Sequence, residues 1–152
     1  MAVGAFKMYK SFQYRAMRDA MLGESNIAGT LKAALLDNAH TPSLTAHSTW
    51  NDVSGDECAD GDYAEQTITG LAIGQDGSSN TTIDANDVDF GNAVTISARY
   101  LVLYYDTGTP TTSYLVGITD LNDGGAANVS STADDFDISW PAGGFYTITP
   151  AT

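Results

Sequence analysis

Two histidines, His40 and His47, stand in one Asn-, Asp-, Ser- and Gly-rich stretch with Asp37 and Asp52 close by in sequence. Imidazole and carboxylate are the ligand types of a zinc or related site, which needs about three or four converging groups. Spacing along a loop does not establish convergence, so surface or structural histidines are the simpler expectation. Asp84, Asn86, Asp87 and Asp89 offer oxygen ligands as a calcium loop does. They lack the glycine and the distant glutamate of an EF-hand. Because Asp87 and Asp89 alternate with Val88 and Phe90, they read first as the solvent face of a strand. Cys58 lies among Asp56, Glu57, Asp60 and Asp62, and negative surroundings oppose the thiolate that nucleophilic chemistry requires. A glycosidase holds two carboxylates about 5–10 Å apart in a cleft. Many carboxylates are present here, and none is set apart by its context. The serines have no nucleophile-elbow setting, and no glycine-rich loop opens a helix. The residues therefore predict no enzyme, no cofactor and no metal. Abundant tyrosine and threonine would suit sugar binding on an exposed sheet, but the aromatics fall mostly at core positions.

The elements that must carry these residues read as β structure. The chain has 152 residues, the span of one domain. A domain of that length buries roughly 68–70% of its unfolded surface, enough for a core without staples. One cysteine excludes an internal disulfide framework. No segment approaches the ~18 apolar residues of a membrane helix, and no apolar signal-peptide core opens the chain. The expectation is synthesis and folding in a cytoplasm and no membrane partner.

Charge is divided unevenly along the chain. Lys7, Lys10, Arg15, Arg18 and Lys32 face only Asp19 and Glu24 in the first 32 residues, a balance of +3. The remaining 120 residues set Arg99 against 17 acids, a balance of −16. Such a body repels nucleic acid, whose binding needs clustered cations along a face. It suits an anionic body whose lead segment meets something acidic, or acidic loops that simply keep a β protein soluble.

Residues 1–10 show no periodicity and read as an arm. Ser11 as N-cap and Gly23 as C′ residue bracket a helix at about 12–22. Phe12, Tyr14, Ala16, Met17, Ala20 and Met21 cover one broad arc of it, with Arg15, Arg18 and Asp19 opposite. Residues 29–37 read as a strand, and 38–63 as a long irregular connection anchored by burial of Trp50. Strands follow at Gln66–Gly74, with a bulge at Gly70, at Thr81–Ile83, and at Asp87–Phe90 with Val88 and Phe90 inward. Ile96–Tyr105 is apolar on both faces near its end and reads as the central strand, with Ile96, Ala98, Tyr100, Val102 and Tyr104 on one side. A hairpin loop at Asp106–Thr112 returns through a strand with Tyr114, Val116 and Ile118 on one face. Asp135–Trp140 turns Phe136, Ile138 and Trp140 inward, and Phe145–Thr149 is the last strand. The prediction is a mainly β fold: an antiparallel β-sandwich or jelly roll of about 7–9 strands spanning 29–152, preceded by a basic arm and amphipathic helix over 1–28.

The order of motifs is Thr30-Leu-Lys-Ala-Ala-Leu-Leu36, His47-Ser-Thr-Trp50-Asn-Asp-Val-Ser54, Asp56-Glu-Cys58 and Gly61-Asp-Tyr63. Ile83-Asp-Ala-Asn-Asp-Val-Asp-Phe90, Thr95–Tyr104, Leu115-Val-Gly-Ile118 and Phe136-Asp-Ile-Ser-Trp140 follow, the last with a Gly-Gly turn. From about residue 29 onward this resembles a family of small structural proteins of tailed-bacteriophage virions. Asp62 and Ala64-Glu65-Gln66 depart from the glycines usual in that family after the loop.

The resemblance implies a non-enzymatic virion component: a head decoration (cement) protein on the capsid surface, with the major capsid protein as partner and a homotrimeric state. The alternatives are a tail or neck component, or a carbohydrate-binding module. For a decoration protein, Lys7, Lys10, Arg15 and Arg18 would meet acidic capsid patches, with Phe12, Tyr14 and Met17 adding apolar area. Tyr14 and Arg15 are the residue types favoured as interface anchors. On this reading, removal of residues 1–22 leaves a folded body.

Overall fold

The computed structural model describes residues 3–150. In chain order the elements are β1 (Lys7–Met8), α1 (Lys10–Leu22), β2 (Thr30–Leu36), two single-turn 3-10 helices (Trp50–Asp52 and Ser54–Asp56), β3 (Gln66–Thr67), β4 (Ala72–Gln75), β5 (Thr81–Asp84) and β6 (Val88–Asp89). β7 (Ser97–Ala98), β8 (Tyr100–Asp106), β9 (Tyr114–Asp120), β10 (Val129–Ser130), β11 (Asp137–Ile138) and β12 (Tyr146–Ile148) complete them. The fold is mainly β, antiparallel and sandwich-like.

Its frame is a five-stranded sheet in the order β1-β9-β8-β2-β3. β8 lies between the two other long strands, as its apolar faces predict. One face of this sheet carries Leu31, Ala33, Leu35, Leu101, Leu103 and Val116 against Val88, Phe90, Phe136, Ile138 and Phe145. The last five belong to or adjoin small sheets β11-β6 and β12-β5-β4, which with β10-β7 form the second layer. The opposite face carries Ala34, Leu36, Val102, Tyr104, Leu115 and Ile118 and is closed by Tyr9, Trp50 and Val53. The long connection thus covers that face of the sheet in place of further strands. The Trp50 ring stacks on Tyr104 and is buried, as expected for an anchor.

Twelve strands form among the described residues, more than the sequence predicts: two long segments change sheets part-way, and β1 and β10 lie where no strand is predicted. Gln66–Gly74 is divided at Gly70, whose φ is +67° and where a side chain would collide with Asn86. Its halves pair in different sheets, which a bulge would not produce. Ile96–Tyr105 is divided at Arg99: Ser97–Ala98 pairs with β10, and Tyr100 onward pairs with β2 and β9. Ile96 and Ala98 therefore join the Leu101 core, not the Val102 face on which alternation places them. A register shift in β9 acts similarly. Leu103 opposes Gly117 and Tyr104 opposes Leu115, so Val116 faces one core while Ile118 faces the other.

The helix begins earlier than predicted, at Lys10, with Tyr9 as its N-cap residue. No side-chain hydrogen bond caps it there, and Ser11 lies inside the helix. The C-terminal signal holds: Gly23 has φ +68° and its N–H donates to the Asp19 carbonyl. The segment read as an arm is built into the body. Lys7 and Met8 pair with Ile118 and Gly117, while Phe6 and Tyr9 are buried. Phe6 sits edge-on to Phe145 at 5.0 Å and occupies space that a side chain at position 117 would need. Removing residues 1–22 would therefore open both cores.

Candidate docking surface

α1 is fixed to the body along one side only. Phe12 stacks over Tyr105 at 6.3 Å, and the Arg15 guanidinium lies 3.6 Å from the centre of the Tyr114 ring. Behind the helix, the Asp19 carboxylate accepts hydrogen bonds from the backbone N–H groups of Asn26 and Ile27, each at 2.9 Å, and so ties down the chain leaving Gly23. Those bonds to Asn26 and Ile27 hold its carboxyl below the usual range.

No residue of α1 is fully buried. Phe12 of the apolar arc packs against the core, while the rest of the arc is largely free. Tyr14 is 62%, Met17 58%, Met21 73% and Leu22 68% exposed. Arg15, predicted as an anchor to a partner, is half-buried against Tyr114 of its own chain. The lead segment's buried contacts beside β9 are made by Phe6 and Tyr9, which flank β1.

The cations predicted to make contact are divided between two faces. Lys10 is exposed at the start of α1, whereas Lys7, on the edge strand β1, lies on the other face of the sheet beside Tyr100, Ile118, Asp120 and Asp123. Arg18 donates to Glu24 at 2.5 Å and to the Tyr14 hydroxyl at 3.1 Å, which props the tyrosine ring. Among the described residues, the salt bridges involve Arg18, Lys32, His40 and Arg99, so Lys7, Lys10 and Arg15 have no ion-pair partner. Of the seven predicted contact residues, Lys10, Phe12, Tyr14, Arg15, Met17 and Arg18 lie on one helix, and Lys7 lies apart on β1. Phe12 and Arg15 are committed largely to holding the helix.

Between α1 and the β12-β5-β4 sheet runs an apolar groove of about 470 Å³. Phe12, Ala16 and Met17 form one wall, Ile73, Ile83 and Ile148 the other, and Leu31, Tyr105 and Val116 lie along its floor. No charged side chain lines it. Ile73, Ile83 and Tyr146 form one cross-strand row, because Ile73 opposes Ile83 and Ile83 opposes Tyr146.

The residues weighed for catalysis and metal binding serve structural contacts. His40 is buried, and its Nδ1 lies 2.8 Å from the Asp56 carboxylate. Its ring packs 5.4 Å from His47 and edge-on to Tyr100. Asp52 accepts bonds from the backbone N–H groups of Ser48 and Thr49, forming the capping box of the first 3-10 turn, and its carboxyl is held low by them. Asp87 accepts from the Trp140 backbone N–H, Asp89 from that of Gly91, and Asp84 from that of Ala85. Asn86 donates to the Thr69 hydroxyl. Burial pushes the Cys58 thiol up, and its Sγ donates to Asp60 at 3.2 Å. No group of three or more His, Cys, Asp or Glu is arranged to hold a metal among the described residues.

One polar cluster escapes sequence reasoning. Lys32 on β2 bridges Glu65 at 3.0 Å and Asp106 at 2.7 Å. Tyr104 donates its hydroxyl to Glu65, and Tyr63 donates to Glu57 at 2.8 Å. Burial pushes the Glu57 carboxyl up, and the adjacent Glu65 charge adds to this. The only advance signal was a lysine inside an otherwise apolar strand. Arg99, the single cation of the acidic body, grips Asp120 with two bonds of 2.6 Å at the corner between β7 and β8.

Comparison with protein-family models, curated proteins and solved structures returns no match. Among the described residues no helix is long and apolar enough to cross a membrane.

Proposed function

We propose that the chain is a structural protein of a tailed-bacteriophage particle, and specifically a head decoration protein that fastens to the major capsid protein and reinforces the shell. The observation that carries this reading is the composition of the α1 face. Lys10 and Arg15, without ion-pair partners, adjoin a strip of exposed Tyr, Met and Leu on a molecule of net charge −13. A mixed cationic and apolar strip on an anionic body is chemistry for gripping an acidic protein surface. The two closed cores supply the rigid body such a role requires. The motif order from residue 29 onward directs the reading to phage virions.

The test is reconstitution. Purified chain is mixed with heads that lack it, and bound copies are counted by quantitative gel densitometry. A copy number matching the shell lattice supports decoration. Binding confined to tails or necks transfers the protein there, and no binding to any part of the particle removes the reading. Lys10→Glu is expected to weaken attachment, and raised salt is expected to weaken the wild type.

A further inference from the structure

The fold brings together the only two histidines of the chain. The His40 and His47 rings lie 5.4 Å apart with their planes at 45°. The Asp56 carboxylate, 2.8 Å from His40 Nδ1, takes the proton of that nitrogen and leaves a lone pair on Nε2. The His40 side chain is 1% exposed. Among the described residues five buried polar side-chain atoms have no hydrogen-bond partner, and two of them are His40 Nε2 and His47 Nδ1. A buried polar group without a partner costs free energy, and a purely structural histidine gains nothing from one. We propose that His40 Nε2 and His47 Nδ1 are the two protein ligands of a late first-row divalent metal ion, zinc or copper(II), whose remaining positions are filled by water. The inference does not rest on the decoration reading.

Four observations support this ligand. First, the spacing fits. With nitrogens about 2.0–2.1 Å from an ion and each ring centre about 1.1 Å further on, two imidazoles at a tetrahedral angle have their centres about 5 Å apart. Second, a carboxylate on the far nitrogen of a metal-binding imidazole fixes its tautomer and raises its basicity, and Asp56 stands in that place. Third, the backbone is already held. The His40 N–H donates to the Asp37 carbonyl, the His47 N–H donates to Ser43 at 3.1 Å, and Leu44 between them accepts from the Lys10 N–H at 3.0 Å. Fourth, the surroundings favour a cation. No Lys or Arg occurs from residue 33 to 98. Arg99, which lies over the Tyr100 ring that His40 also touches, is engaged with Asp120. Imidazole nitrogen selects zinc, copper or nickel over the hard ions calcium and magnesium. His47 is half-buried, so solvent lies close enough to complete the shell. Two protein ligands make an exchangeable site and not a closed structural centre.

The experiment is calorimetric titration of the metal-stripped full chain with zinc chloride and with copper(II) chloride, in a non-coordinating buffer with excess magnesium to occupy the acidic surface. The expected result is one ion per chain for each metal, with copper the tighter. Pulsed electron paramagnetic resonance of the copper-loaded wild type is expected to show two imidazole nitrogens, a readout that needs no variant. His47→Ala is expected to keep the wild-type circular dichroism and to lose the site, and zinc is expected to raise the Tm of the wild type but not of this variant. Asp56→Asn is expected to weaken zinc by about tenfold in Kd while leaving both imidazoles bound to copper. No saturable binding of either metal at one ion per chain overturns the inference. So does binding that His47→Ala leaves unchanged, or a copper signal without imidazole nitrogen, since either result places the ion on the aspartates or the chain terminus.

Discussion

The Trp50 ring lies flat on Tyr104, with centroids 4.4 Å apart and planes within 5°. This contact attaches the long connection after β2 to the middle of the main sheet, and the Tyr104 hydroxyl continues it to Glu65 on the far side. The backbone follows the same route: Trp50 donates to the Ser113 carbonyl at 2.7 Å, and Leu115 donates to Ser48 at 3.1 Å. Trp50→Ala should cost about 3–5 kcal/mol, the range for emptying a buried aromatic site. Urea unfolding measures the loss. Hydrogen exchange should show the extra opening concentrated in residues 44–58 and their partners on β9, while β5 and β12 keep their protection.

Phe6 over Gly117 makes the lead segment part of the fold. A methyl at 117 would meet the Phe6 ring and the Lys7 carbonyl. Gly117→Ala should destabilise by about 1–3 kcal/mol through overpacking. Deleting residues 1–9 should do more, because it exposes the sites of Phe6 and Tyr9 in both cores. Loss of cooperative thermal unfolding in the truncated chain is the expected readout, and a truncated chain melting like wild type would contradict this account.

The bonds from Arg99 hold the Asp120 carboxyl below its ordinary range. The sign follows by linkage. A depressed folded-state pKa contributes stability that is present above the unfolded value, near ~4, and is lost as pH falls through the folded one. Asp120→Asn should therefore reduce stability at neutral pH and flatten the acid limb of the stability curve. Urea midpoints for both proteins across the acid range check the slope.

Glu57 acts in the opposite sense. Burial raises its carboxyl pKa, so the folded state prefers the protonated form. Stability falls as pH rises above the unfolded value near ~4, and the full penalty is present once the folded pKa is passed. Glu57→Gln keeps an acceptor for the Tyr63 hydroxyl and removes the charge. It should raise the Tm at neutral pH, and the difference from wild type should close as the pH drops below the ordinary carboxylate range.

Much of this protein could be read from residue order. Alternation at Val88–Phe90 and Phe136–Ile138, the turn residues at 76–80 and the left-handed Gly23 are local features, set by side-chain period and backbone sterics. The doubly apolar run at Leu101–Tyr104 likewise foretold a strand covered on both sides. Charge order alone placed the cations in the lead segment. Tertiary structure decided what depends on competition between distant segments. Which side chain would cover the sheet beside Gly117, where Arg99 and Gly70 pass the chain from one sheet to another, and which carboxylates Lys32 would reach were settled by pairings between residues far apart in sequence. The period of a strand is an intramolecular rule of one segment. Which face meets core, solvent or a neighbour is set by whatever else has already filled the space.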